Sequence, residues 1–143
     1  MKKIISALVS VCLVFSMVIL SGCSDFAFNP IGKWKLTDDI LYDADGHEMS
    51  HETDDDMLNQ NIFYVFEKSG TGYKDINGTK TLTFTYEYND EEISVTFEQS
   101  DKTVKYKISD DGKTITNSET TTISDPETNS KTTIREDKIF KKQ

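Results

Sequence analysis

Eight short runs in which apolar and polar residues alternate, each closed by turn chemistry, constrain this chain more than any other feature. From Lys33 onward the apolar positions recur with period two rather than 3.6, and Thr, Ile, Val, Tyr and Phe dominate the runs. Successive side chains of a strand point to opposite faces, so Leu82, Phe84, Tyr86 and Tyr88 fall on one side and Thr81, Thr83, Thr85 and Glu87 on the other. That pattern belongs to a sheet with one buried and one wet face. Ile93, Val95 and Phe97, and then Val104, Tyr106 and Ile108, repeat it. The breaks at Ser69-Gly70, Asn77-Gly78, Asn89-Asp90, Asp111-Gly112 and Asp125-Pro126 suit tight hairpins. The spacing predicts strands near residues 32–38, 61–67, 71–76, 80–88, 92–98, 103–109, 113–123 and 131–141. Consecutive antiparallel strands in that number give an all-β fold, an eight-stranded up-and-down barrel; a β-sandwich has the same periodicity.

Two segments resist the alternation. Residues 43–60 are rich in acids and read as a long lid or flexible loop with a helical turn or two around Asp54 to Asn59. In the last run Ile134, Glu136, Lys138 and Phe140 share one parity, which would put two charges on the buried face, so a bulge is expected near Glu136 to Lys138.

Ahead of the barrel lies a different kind of sequence. Lys2 and Lys3 precede an apolar run from Ile4 to Leu20, and Leu20-Ser21-Gly22-Cys23 closes it. A positive start, an apolar core and small residues before a cysteine make an export signal ending in a lipobox. Residues 1–22 are thus read as a lipoprotein signal peptide, with Cys23 carrying a thioether-linked diacylglyceryl group as the new N-terminus. An uncleaved membrane anchor is the competing reading of this run, but an anchor has no need of Leu-Ser-Gly-Cys at its outer end. Residues 23–30 form the lipidated terminus and a short tether, spanning at most roughly 25 Å, and 31–142 the barrel domain. The address is the cell envelope: the outer face of the cytoplasmic membrane, or an outer membrane if there is one.

Loss of residues 1–22 removes two lysines and no acids, so 14 basic and 25 acidic side chains remain, a net charge of −11. Such a charge repels nucleic acid, which is not an expected partner, and repels anionic headgroups taken as a whole. Cys12 leaves with the signal and Cys23 is acylated, so packing and backbone pairing must supply stability without a disulfide.

The barrel region resembles the small lipocalin-like domains of bacterial lipoproteins. The likeness rests on Gly32-Lys33-Trp34 at the first strand, the Asp45-Gly46-His47-Glu48 turn after it, Phe66, Gly70, Gly72 and Tyr73 between the second and third strands, and Ile139-Phe140-Lys141-Lys142 at the end. It covers about residues 31–142. The resemblance implies that Trp34 sits at a closed end with a basic side chain across its ring, Lys141 standing where the wider group has arginine. It also implies a cavity for a small apolar or amphiphilic ligand lined by Phe84, Tyr86, Phe97 and Tyr106. An eight-stranded barrel is also narrow enough to be filled by its own side chains, and a filled barrel would instead meet an envelope protein through its acidic loop.

His47-Glu48-Met49-Ser50-His51 matches the His-Glu-x-x-His pattern that zinc hydrolases carry on a helix. Its surroundings, from Asp45-Gly46 to Asp54-Asp55-Asp56, offer no apolar face to fix such a helix, and zinc hydrolysis is the minor alternative to a protein without catalytic residues, metal or cofactor. Asp43-Ala44-Asp45-Gly46 has part of a calcium loop's spacing but lacks its later ligands, and reads as a turn.

Overall fold

The computed structural model describes residues 27–53 and 60–143. The signal peptide, Cys23 and the helical turn expected at Asp54 to Asn59 lie outside them. Nine strands follow one another: β1 (Gly32–Tyr42), β2 (Glu48–Thr53), β3 (Ile62–Phe66), β4 (Thr71–Ile76), β5 (Thr79–Tyr88), β6 (Glu92–Phe97), β7 (Thr103–Ile108), β8 (Thr114–Ser124) and β9 (Lys131–Lys142). Every pairing is antiparallel, and β1 pairs with β9 as well as with β3, so β1 and β3 to β9 close an eight-stranded up-and-down barrel. Closure removes the open edges that a sheet of this length would otherwise expose.

The ninth strand corrects the loop expected at residues 43–60. β1 runs beyond the barrel rim: Gly32 to Lys35 pair with β3, whereas Asp38 to Tyr42 pair on the same edge with β2. β2 therefore covers an edge that β3 leaves bare. Its residues lack alternation because nearly all are exposed, so neither face needed an apolar set.

A second correction concerns the bulge. β9 pairs with β8 without any slip, and the irregularity lies across from it in β1, between Leu36 and Asp38. Thr37 is the extra residue; its hydroxyl donates to the Ile139 carbonyl at 3.3 Å. After the bulge Asp39 shares the inner face with Lys138, so the charges of β9 stay inside and meet a partner there.

The strand directions give the barrel two unlike ends. At one end lie the β3–β4, β5–β6 and β7–β8 turns, both ends of the described chain, and the fully buried Trp34. Gly32 begins β1 there at φ +129°, a conformation that side-chain-bearing residues rarely adopt. The other end carries the β1–β2, β4–β5, β6–β7 and β8–β9 connections. Between the ends, Phe66, Phe84, Ile93, Val95, Ile115 and Phe140 are buried in one cluster. β7 and β8 share only two register pairs, at Lys107–Thr116 and Ile108–Ile115. Above them the buried Asn117 amide donates to the Lys105 carbonyl at 3.0 Å, which satisfies a main-chain group where the ladder stops.

Candidate functional site

The four side chains expected to line a cavity do share the inner face, as their parity requires. Phe84 has no exposed surface, Tyr86 and Tyr106 are buried, and Phe97 is partly buried at the rim. They are packed on one another rather than around a space. Tyr64 is the hub: its ring stacks on Phe140 at 4.7 Å and lies 5.7, 5.9 and 6.2 Å from Phe84, Tyr106 and Phe97. Phe66 continues the column to Phe84 at 5.3 Å and to Tyr86 at 4.9 Å. These spacings are those of favourable aromatic pairs, so the rings fill the cross-section they would have lined. Burial raises the Tyr106 hydroxyl well above its ordinary value, with Tyr64 adding to the rise; burial likewise raises Tyr64, although its hydrogen bond with Tyr106 opposes this. Both phenols stay neutral. Tyr86 donates its hydroxyl to the Glu67 carbonyl at 2.6 Å.

At the closed end the Trp34 indole N–H donates to the Pro30 carbonyl at 2.8 Å, and Phe28 packs 6.0 Å from its ring. The cation over that ring is Lys142, at 5.5 Å, not Lys141. Register explains this correction: Lys142 pairs with Trp34 and shares its face, whereas Lys141 pairs with Lys35 on the outer wall and approaches Asp38 at 3.9 Å. Lys142 also donates to the Asn29 carbonyl at 2.6 Å, tying the last strand to the segment before β1.

The open end holds a set of inward charges that the sequence pattern did not resolve. Lys138 pairs with Glu136 and lies 3.6 Å from Asp39. Burial raises the Asp39 carboxyl, Lys138 opposes the rise and Glu136 reinforces it, and one Asp39 oxygen is buried without a hydrogen-bond partner. Burial alone would lower Lys138, but Glu136 and Asp39 together raise it. Lys74, opposite Tyr64 on the inner face, is lowered by burial and by the charge of Lys138. The signal for this set was the parity of Glu136 and Lys138, and the same parity carries Lys74 two residues from Gly72.

The His-Glu-x-x-His segment forms the end of a turn and the start of β2, so the helix on which that chemistry depends is not formed. The two histidines serve different carboxylates. His47 Nδ1 lies 3.2 Å from Asp43, and His51 Nε2 lies 3.0 Å from Asp38. Burial opposes ionisation of Asp38, but Thr37, His51 and Lys141 outweigh it and hold the carboxyl below its usual value. Asp43 accepts the backbone N–H groups of Asp45 and His47 on one oxygen, which lowers it and closes the turn, with Gly46 at φ +85°. Ligand atoms of Asp43, Asp45 and His47 lie within 4.8 Å of one another, and this turn hydrogen bonding accounts for their approach.

No protein-family model matches the chain, and no match is found among curated proteins or among solved structures. The functional argument therefore rests on this geometry. A recess of about 720 Å³ lies at the closed end between the β5–β6 and β7–β8 turns, lined by Asp90, Glu91, Lys107 and Asp110 among others. It is open and acidic, and stands apart from the aromatic column.

Proposed function

We propose that this protein is a non-enzymatic, lipid-anchored barrel of the cell envelope, similar in plan to the lipocalin-like lipoprotein domains, that acts through its surface. The observation that carries this reading is the packing around Tyr64. Five rings at aromatic-pair spacing across the barrel favour an interior packed by its own side chains over a ligand cavity at that level. What such a barrel can offer a partner is its exterior, which includes the β1–β2 hairpin beyond the stretch of β1 paired with β3. Asp45, Glu48 and Glu52 are exposed there and Asp43 is half-buried, at the end away from Ala27. An anchor at Cys23 would hold the closed end towards the membrane and turn this acidic hairpin outward, where it suits a basic envelope protein.

A small amphiphile held at the mouth is the second reading. Ile62 and Phe97 are only partly buried beside the inward charges of Lys74, Lys138, Asp39 and Glu136, so an apolar chain and a polar head each have a counterpart there.

Photo-cross-linking in intact cells separates surface action from an idle hairpin. Wild-type protein is expected to give discrete adducts with an envelope protein. Joint Asp43→Asn, Asp45→Asn, Glu48→Gln and Glu52→Gln substitution is expected to abolish them while the protein still accumulates. Adducts of unchanged yield, or none in the wild type, would overturn this use of the hairpin.

A further inference from the structure

Closure covers β8 only part of the way. β7 pairs with it at Lys107–Thr116 and Ile108–Ile115 and no further. The next carbonyl of that ladder, on Lys105, would take the Ser118 N–H, but it takes the Asn117 side-chain amide at 3.0 Å instead. β9 continues alongside β8 to Ser124, so this hairpin runs on with one bare edge. Hydrogen bonds at the strand ends fix which way the main chain points. Thr114 turns its carbonyl to Ser109, on the β7 side, whereas Lys113 and Asp125 bond to Lys142 and Ser130 on the β9 side. These directions alternate along a strand, so odd-numbered residues of β8 serve β9 and even-numbered ones face the free side. Thr120, Thr122 and Ser124 therefore hold three N–H and three carbonyl groups with no strand against them among the described residues.

An edge of this kind is ordinarily blunted by a lysine, a proline, a bulge or shortness. β8 has 11 residues, pairs with β9 without a slip, and reads Thr120-Thr121-Thr122-Ile123-Ser124 here, all of them exposed. The free edge of β2, by contrast, carries Glu48, His51 and Glu52. Charges border the β8 stretch rather than occupy it. Glu119 is held by Lys102 at 3.0 Å, and the Asp125 carboxylate accepts the N–H groups of Glu127 and Thr128 within its own turn. Across the ladder Lys131 and Arg135 stand opposite Ser124 and Thr120, and Arg135 is engaged with Asp137 and the Tyr42 ring. Ile123 is 52% exposed, so a side chain laid beside it would gain apolar contact as well.

We propose that the edge of β8 at residues 120–124 takes an extended, uncharged segment of another protein as an added strand. In this mode the main chain supplies affinity and alternate side chains supply selectivity. β-Branched residues suit the added strand, because they pair favourably with threonine across a ladder. A charged segment would give up water beside a stretch with no charge to answer it. A second copy of this chain is the poorer occupant. Antiparallel pairing of β8 with itself about a two-fold axis turns one barrel end for end, which two chains held by Cys23 in the same membrane cannot do; only this comparison rests on the lipid-anchor reading. The register that uses all six main-chain groups also sets Glu119 against Asp125 of the second copy. The edge is separate from the acidic β1–β2 hairpin and goes beyond the role proposed for it.

The test is hydrogen exchange, read amide by amide, on the full protein purified from its own cells in detergent, with and without a peptide that alternates threonine and valine between terminal lysines. With the peptide, the amides of Thr120, Thr122 and Ser124 are expected to slow at least about tenfold, while those of Thr121 and Ile123, which face β9, stay unchanged. The same peptide with a proline at its centre is expected to slow none of them. Thr122→Pro removes an N–H that β9 does not use, so it is expected to keep the fold by far-ultraviolet circular dichroism and to abolish the slowing at Thr120 and Ser124. Unchanged exchange, slowing by the proline peptide as well, or equal slowing along β2 would overturn the proposal. So would slowing without peptide that grows with protein concentration, since a second copy would then occupy the edge. Envelope adducts at the β1–β2 hairpin without slowing here would refute this edge alone, and slowing without such adducts would refute the hairpin alone.

Discussion

Gly72→Ala is expected to lower the stability of the barrel by about 3 kcal/mol, as overpacking in a filled core does at its upper range. A Cβ at residue 72 would stand 2.3 Å from a Phe84 ring carbon and 2.4 Å from the Val65 carbonyl oxygen. The second contact is with backbone on the neighbouring strand, so rotation of one side chain cannot relieve both. Phe84 is itself held by Tyr64, Phe66 and Phe97, and any shift travels through the aromatic column. Gly46→Ala provides the comparison. It lies at φ +85° with open space around its Cβ position, and its cost is limited to the left-handed backbone, about 1 kcal/mol. Equilibrium urea unfolding of the two variants reads the difference directly. Equal midpoints would show that Phe84 does not close over Gly72.

Trp34→Ala is expected to cost about 3–5 kcal/mol, the range for truncating a fully buried large aromatic side chain. Its ring is unexposed, is packed by Phe28 and is approached by Lys142. Removal would also leave the Pro30 carbonyl without its indole donor. Trp34→Phe keeps a ring but not the N–H, and is expected to recover much of the loss while retaining a deficit of about 1 kcal/mol for the missing hydrogen bond. Denaturant unfolding followed by far-ultraviolet circular dichroism measures all three proteins without relying on the tryptophan signal. A Trp34→Ala protein as stable as the wild type would contradict the closed-end plug.

The barrel was legible from period-two alternation because most strands bury one face and wet the other, as β7 does in strict sequence. Where a strand is wet on both sides that signal disappears, which is why β2 read as loop: Glu48 to Glu52 are all exposed. Parity correctly marked Glu136 and Lys138 as inward, but a single strand does not reveal what stands across from it. Asp39 comes within 3.6 Å of Lys138 only because Thr37 bulges in β1, a hundred residues away in sequence, so the charges are kept inside and no bulge in β9 is needed. The same one-residue sensitivity separates Lys141 from Lys142. Adjacent lysines take opposite faces, and register with Trp34, not composition, selects the one over the ring. Phe84, Tyr86, Phe97 and Tyr106 were identifiable as inward residues, but whether inward rings line a space or fill it depends on Tyr64 reaching all the way to Phe140 and Phe97 across the barrel.

The proposed action through the surface rests on the ring packing around Tyr64 and on the exposed acidic β1–β2 hairpin. Native mass spectrometry of the protein, purified gently from its own cells after exposure to their lipid and metabolite extract, tests this most directly. The account predicts the mass of the chain from Cys23 to Gln143 with its acyl groups and no further bound species. A reproducible additional small-molecule mass, lost when Phe84 and Tyr86 are replaced in variants that still fold, would contradict it and establish a ligand-carrying barrel.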